Sequence, residues 1–165
     1  MTRIYIVDTS YLLELFDVPG FSTTAHVKAV REKFAQAIEA RNQIIVPIGC
    51  VFELANYIAD VGNIAVRRQL AQKLAGSINS SLNSAQPWQI TPPDKLEATL
   101  PQLFSEYADK YLPLGMGLTD TYTLAEAQRL KTKYNSVQHY RVHIWTKDNS
   151  LKAHEPDVEP DPFVN

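Results

Sequence analysis

The sequence predicts an α/β fold, a three-layer α/β/α sandwich with a central, mostly parallel sheet. One observation is that short, unbroken apolar runs occur at residues 4–7, 44–46 and 142–145. Such runs are typical of strands that are buried on both faces of a parallel sheet. The other observation is that longer segments with helical spacing of apolar residues separate these runs. Strands that alternate with helices favour a parallel sheet with helices on both sides.

The first half of the chain contains two predicted strands and four predicted helices. Helix-capping residue types follow the first strand and predict a short helix at residues 11–16. Residues 22–24 begin a second, longer helix, whose apolar face consists of Val27, Val30, Phe34 and Ile38. After the second strand, at 44–46, helical spacing returns from residue 51. A glycine and an asparagine near residue 62 separate two further helices.

The second half of the chain is predicted to alternate in the same way. A polar stretch at residues 79–86 predicts a loop, and residues 88–90 predict a short third strand. Two helical pieces with prolines follow. A flexible segment at 115–118 leads into a helix from residue 119 to about residue 133. The last strand, at 142–145, ends in a turn.

Length and composition favour one cytoplasmic domain. The chain has 165 residues, enough for a sizeable core, and we expect a domain at 1–153 and an acidic, proline-rich tail at 154–165. The net charge of −2 gives no global basic field for nucleic acid or membranes. Cys50 is the single cysteine, so an internal disulfide is excluded and a reducing compartment fits. We expect no membrane association, because no apolar stretch approaches the roughly 18 residues of a span.

Three acidic residues are candidates for the edge where ligands bind in this fold class, outside the carboxyl ends of the strands. Asp8 follows the first strand, Asp148 follows the last, and Glu53 lies early in the helix after the second. Asp120 opens another helix, after a glycine-rich segment. Carboxylates that converge on one sheet edge form an oxygen-rich site of the kind that Mg²⁺ or Mn²⁺ prefers. Each residue also has a purely structural interpretation as a helix cap, a solvated helix position or a turn residue. Spacing alone leaves the choice open.

The residues around these carboxylates form four motifs in chain order. They are a hydrophobic strand ending in Asp8-Thr9-Ser10, a proline before a helical glutamate (Pro47 and Glu53), a helix start at Leu118-Thr119-Asp120, and a strand ending in Thr146-Lys147-Asp148. Together they resemble the PIN-domain family, specifically its small prokaryotic, toxin-type (VapC-like) members. The resemblance covers nearly the whole chain. It departs from the family pattern in the long stretch at 129–141 and in the acidic tail.

The resemblance implies a Mg²⁺- or Mn²⁺-dependent ribonuclease that hydrolyses RNA phosphodiester bonds. Asp8, Asp120 and Asp148 would be metal ligands, directly or through water. Glu53 would be a ligand or would orient the attacking water. The resemblance also implies the toxin of a toxin–antitoxin pair, with an antitoxin protein as partner.

The hydroxyls of Ser10 and Thr146 stand next to the proposed ligands in sequence. They are predicted to hydrogen-bond to the carboxylates, and capping of turns is an equally good interpretation. Basic side chains at Arg67, Arg68 and Lys73 are possible RNA contacts. Each of the three also suits a solvated helix face.

A symmetric homodimer is a further expectation of the resemblance. The apolar surface offered for it consists of Leu70, Leu74, Leu100 and Phe104. The alternative is that all four side chains pack inside one monomer.

Two other classes of function compete with the ribonuclease. One is a non-catalytic PIN fold that serves as an RNA-binding or scaffolding module, since a fold does not fix a function. The other is phosphate-ester chemistry on a different acidic α/β scaffold. A haloacid-dehalogenase-like phosphatase requires a second aspartate two positions after the first, where this chain has Ser10. Glycine-rich nucleotide-binding patterns are missing from the sequence.

Overall fold

Four parallel strands form one sheet in the order β3-β2-β1-β4 in the computed structural model, which describes residues 2–85, 87–91, 96–134 and 139–163. The strands are β1 (Thr2–Val7), β2 (Gln43–Pro47), β3 (Gln89–Thr91) and β4 (Tyr140–Trp145). The α-helices of the described residues are α1 (Thr9–Phe16), α2 (Thr24–Glu39), α3 (Ile48–Ala59), α4 (Ile64–Ser84), α5 (Leu96–Glu106), α6 (Leu118–Lys133) and α7 (Asn149–Lys152). Short π-helical and 3₁₀ turns follow α5 at Tyr107–Tyr111 and Leu112–Leu114. No described helix has both the length and the apolar character needed to cross a membrane.

The central strand β1 divides the core into two clusters, because successive side chains of a strand point to opposite faces. Tyr5 and Val7 belong to the cluster that includes the buried faces of α1, α2, α3 and α4. Ile4 and Ile6 belong to the cluster formed with α6 and the segment before it, around Leu124. Helices therefore cover both faces of the sheet, and the predicted three-layer α/β/α sandwich is confirmed.

Two local predictions are wrong. The loop expected at residues 79–86 is helical up to Ser84, because α4 runs from Ile64 to Ser84 and its serines and asparagines are only weakly unfavourable in a helix; residue 86 lies outside the described part of the chain. The predicted apolar face of α2 also ends early. Ala37 is buried, whereas Ile38 is 41 % exposed.

The acidic tail expected at 154–165 lies along the outer side of β4 over its described residues, which end at 163. An edge strand exposes unpaired N–H groups, and here carboxylates accept from them. The Ile144 amide donates to Glu155 Oε2 at 2.9 Å, and the Val142 amide donates to Asp157 Oδ2 at 2.8 Å. The tail's side chains thus take the place that a fifth strand would occupy.

Candidate active site

The sheet order places the ends of β1 and β4 side by side. Val7 pairs with Trp145 in parallel register, and the Asp8 amide donates to the Trp145 carbonyl at 3.0 Å. The chain passes from β1 to β2 on one side and later returns to β4 on the other side of β1. This is a topological switch point, where open α/β sheets bind ligands at the carboxyl ends of their strands.

Asp8 is the buried centre of a hydroxyl network. The Ser10 hydroxyl donates to Asp8 Oδ2 at 2.6 Å, and the Thr146 hydroxyl donates to the same oxygen at 2.9 Å. The Ser10 amide adds a third bond at 3.2 Å, which caps α1. Burial raises the pKa of Asp8, and the hydrogen bonds from Ser10 and Thr146 only partly offset it. Both hydroxyls selected from the sequence therefore contact this carboxylate.

Asp148 lies on the exposed side of the same turn. Its amide donates to the Thr146 hydroxyl at 3.0 Å, so Thr146 connects Asp8 with Asp148. Its side chain caps the short helix α7 by accepting from the Leu151 amide at 2.8 Å. The structural role considered for Asp148 is present, and its carboxylate remains exposed to solvent.

Asp120 is electrostatically coupled to the other three carboxylates. Its Oδ2 accepts from the Gly117 amide at 2.8 Å at the start of α6. Burial is the largest cause that raises the pKa of Asp120 to about 6, followed by the negative charge of Asp8. The Gly117 hydrogen bond lowers it, and the charges of Asp148 and Glu53 raise it further. Carboxylates from three distant chain segments therefore act on Asp120 at this edge of the sheet.

Glu53 is held in place by Thr9, a residue that the sequence analysis did not select. The buried Thr9 hydroxyl donates to Glu53 Oε2 and so connects the start of α1 with the first half of α3. The sequence signal was the run Asp8-Thr9-Ser10, in which either hydroxyl could have faced the carboxylates. The structure assigns Ser10 to Asp8 and Thr9 to Glu53.

Helices α3 and α6 cover opposite faces of the sheet, and they approach each other closely where α3 begins. A β-carbon added at Gly49, in the first turn of α3, would lie 3.1 Å from Cδ1 of Tyr122 in α6. That distance is tighter than ordinary van der Waals contact, so only a glycine fits without moving the Tyr122 ring. Gly49 therefore sets the distance between the two helix starts.

The donor chemistry of this site suits a hard divalent cation, since all four groups are carboxylates. Within the described residues, however, no three His, Cys, Asp or Glu side chains stand close enough together to hold a metal ion. Three of the four side chains are turned to other hydrogen-bond donors. Asp120 is turned to the Gly117 amide, Asp148 to the Leu151 amide and Glu53 to Thr9. Each of these bonds would have to yield or be shared for the four carboxylates to close around an ion.

The basic residues predicted as RNA contacts lie on α4 and have other partners. Arg67 Nε donates to the Val61 carbonyl at 2.9 Å. The Lys73 ammonium lies 4.8 Å from the centre of the Phe16 ring, and burial followed by the charge of Arg31 lowers its pKa. Arg68 is exposed. The contacts of Arg67 and Lys73 are thus with the domain's own packing rather than with the four carboxylates.

Comparison with known proteins does not assign the chain to a group: no protein-family model and no curated protein matches it.

Proposed function

We propose that the protein is a Mg²⁺- or Mn²⁺-dependent endoribonuclease that hydrolyses RNA phosphodiester bonds. The observation that carries the proposal is the environment of Asp120, where burial and then the charges of Asp8, Asp148 and Glu53 raise the pKa to about 6. A half-buried carboxylate that faces three others at a ligand-binding edge is costly for the fold unless a cation neutralises it. The four sequence motifs around them, which resemble PIN domains, give the proposed reaction.

Each carboxylate has a distinct part in this proposal. Asp8, Asp120 and Asp148 would hold the ion, with Asp8 kept in place by Ser10 and Thr146. A bound ion supplies an activated water and neutralises charge on the phosphate. Glu53, held through Thr9, would orient that water and accept its proton on a carboxylate oxygen.

The proposed partners are RNA, a second copy of the chain and an antitoxin protein, in the cytoplasm. These rest on the resemblance to toxin-type PIN domains. The surface suggested for the dimer must change, because Leu70 and Leu74 are buried in the monomer. Phe104 remains 49 % exposed, and Leu112 and Leu114 are each 51 % exposed. These three side chains are the better candidates for a dimer contact.

The second candidate function is a non-catalytic PIN-like module that binds RNA or serves as a scaffold. One observation favours it. Asp120 and Asp148 each accept from a nearby backbone amide and Glu53 accepts from the Thr9 hydroxyl, and the described carboxylates are not gathered at ligand distance. In that case the four acidic residues would serve as helix caps and turn residues.

RNA cleavage with a matched pair of variants separates the two functions. Purified protein should cut RNA internally with Mg²⁺ or Mn²⁺, and EDTA should abolish cleavage until metal is added back. Asp8→Ala should lose about a hundredfold or more, because misplacing the ion removes both water activation and charge neutralisation. The control replaces an acidic residue outside the four motifs; Asp94 is such a residue, but it lies outside the part of the chain that the structure describes. Asp60, exposed at the end of α3, therefore provides the control Asp60→Ala.

The comparison between these two variants decides the matter. Wild-type cleavage by Asp60→Ala together with loss in Asp8→Ala supports the nuclease. Equal cleavage by both variants on the same RNA would contradict it. Absence of cleavage by wild-type protein that still retains RNA on a filter would favour the non-catalytic module.

A further inference from the structure

Helix α1 contains a buried carboxylate that the proposed reaction does not use. The Glu14 side chain has 0 % exposure. One of its oxygens accepts from the Thr23 amide at 3.0 Å. The other pairs with the Lys147 ammonium and lies 3.3 Å from His26 Nδ1. Burying a carboxylate is expensive unless it is paired and hydrogen-bonded, and Glu14 meets both conditions.

The lysine that Glu14 binds stands between two residues of the acidic site. Lys147 separates Thr146, which bonds to Asp8, from Asp148. Its amide donates to the Ser10 hydroxyl at 2.9 Å, so its backbone is fixed independently of its ammonium. Ser10 and Glu14 are four residues apart in α1 and lie on one face of that helix. The residue that holds the ammonium is therefore one helical turn, roughly 5–6 Å between β-carbons, from the residue whose hydroxyl contacts Asp8.

An ammonium at this distance would compete for the carboxylates if it were free. The lysine side chain is a flexible stem with a compact point charge, and Lys147 retains 28 % exposure. The negative charge of Asp8, Glu53, Asp120 and Asp148 would draw it in across a distance shorter than the Debye length. An ammonium among the carboxylates would take the place that a divalent cation needs.

We propose that Glu14 is a positioning residue that holds the Lys147 ammonium out of the acidic site, so that the four carboxylates remain available to a divalent cation. This inference rests on the proposed function, because it takes the acidic site to be a cation site. The competing interpretation is that the pair only fastens α1 to the turn after β4. The two interpretations predict different Mn²⁺ affinities for a variant that lacks Lys147. If the pair fastens the turn, removing the lysine weakens Mn²⁺ binding. If Glu14 only restrains the lysine, removing the lysine leaves Mn²⁺ binding intact.

Mn²⁺ binding to four proteins tests the inference, with free Mn²⁺ measured by electron paramagnetic resonance at neutral pH and low ionic strength. The proteins are wild type, Glu14→Gln, Lys147→Met and the double variant. Glu14→Gln releases the ammonium and should weaken Mn²⁺ binding by about tenfold or more. Lys147→Met and the double variant should stay within about threefold of wild type, because the competing charge is gone. The loss in Glu14→Gln should also shrink as salt screens the attraction.

Matched controls come from an exposed ion pair on α2. Lys28 and Glu32 lie 3.9 Å apart with 79 % and 60 % of their side chains exposed. Lys28→Met and Glu32→Gln make the same changes of charge away from the buried cluster. Neither should alter Mn²⁺ binding, and an equal loss in Glu32→Gln would mean that overall charge rather than Lys147 is responsible.

The outcomes distinguish a failure of the proposed function from a failure of the inference about Glu14. Wild-type protein that binds no Mn²⁺ would overturn the proposed function and the inference together. Wild-type binding with an unchanged Glu14→Gln, or a double variant no better than Glu14→Gln, would overturn the inference alone. If Glu14→Gln does not fold, Lys147→Met decides by itself. A tenfold loss in that variant would show that the lysine fastens the site and would refute the proposal.

Discussion

Replacing Asp120 by asparagine should stabilise the metal-free protein at neutral pH and leave its stability unchanged in acid. The pKa of Asp120 is raised from 3.8 to about 6 by burial and by the charges of Asp8, Asp148 and Glu53. A carboxyl with a raised folded-state pKa binds its proton more tightly in the native state than in the unfolded state. Stability therefore falls as pH rises from about 4 to about 6 and stays reduced above that range.

The magnitude follows from the shift and one opposing effect. A rise of about two pKa units corresponds to at most about 3 kcal/mol of lost unfolding free energy at pH 8. The charged Asp120 also interacts favourably with the amino terminus of α6, which is worth about 0.3–1 kcal/mol and is lost in the variant. Asparagine retains an oxygen that can accept from the Gly117 amide. The net gain expected at pH 8 is about 2 kcal/mol, or roughly 4–8 °C in melting temperature for a chain of this length.

Thermal melting in EDTA at pH 4 and pH 8 measures this effect. Asp120→Asn should melt like wild type at pH 4 and above it at pH 8. Asp60→Asn makes the same change at an exposed aspartate, and its melting temperature should equal that of wild type at pH 4 and at pH 8. The reasoning fails if Asp120→Asn gives no gain at pH 8, because the four carboxylates then do not share one electrostatic environment. Added Mn²⁺ should stabilise wild type more than the variant, since an ion that binds only the folded state removes the same repulsion.

Two further predictions concern packing. Gly49→Ala should weaken Mn²⁺ binding while changing the unfolding free energy by less than about 1 kcal/mol, because the 3.1 Å contact with Tyr122 opposes the better helix propensity of alanine. Gly76→Ala, which meets no neighbour within 4 Å, is its control and should only stabilise, as urea titration would show. Asp161→Asn should cost about 3 kcal/mol in the same titration, because it removes the buried partner of Lys33. An unchanged urea midpoint would mean that the Asp161–Lys33 ion pair adds nothing to stability.

The fold class and the positions of the acidic residues could be predicted because they depend on local patterns. A continuous apolar run predicts a buried strand, and Asp8 and Asp148 stand at the ends of such runs. The strands that contain these runs are parallel neighbours in the sheet. Their carboxyl ends must therefore meet at one edge. The ends of the helices and strands were predicted less accurately. The strand predicted at 88–90 begins at Gln89, and α4 continues to Ser84 through the polar stretch that was predicted as a loop.

The contact of Thr146 with Asp8 was predicted from the motifs, but the partners of Glu53 and Glu14 could not be, because they lie far away in the chain and no motif indicates them. Thr9 and Glu53 are 44 positions apart, and Glu14 and Lys147 are 133 positions apart. The only signal for Glu14 was its place as the single charged residue in the otherwise apolar and hydroxylic helix α1. A charged side chain in such a helix either faces solvent or is buried with a partner of opposite charge, and the sequence does not identify that partner.

The four carboxylates differ in how firmly the fold holds them, and this difference decides how the site could respond to an ion. Asp8 is 4 % exposed and receives three hydrogen bonds, two from Ser10 and one from Thr146 in the turn after β4, so it cannot turn without disturbing the sheet edge. Asp120 and Asp148 each give one side-chain oxygen to a backbone amide of their own helix, and such caps are worth only about 1 kcal/mol. A divalent ion with a micromolar dissociation constant would contribute about 8 kcal/mol, which exceeds the cost of both caps. Under the proposed function, Asp8 would therefore be the fixed donor, and the carboxylates at the two helix starts would turn toward it.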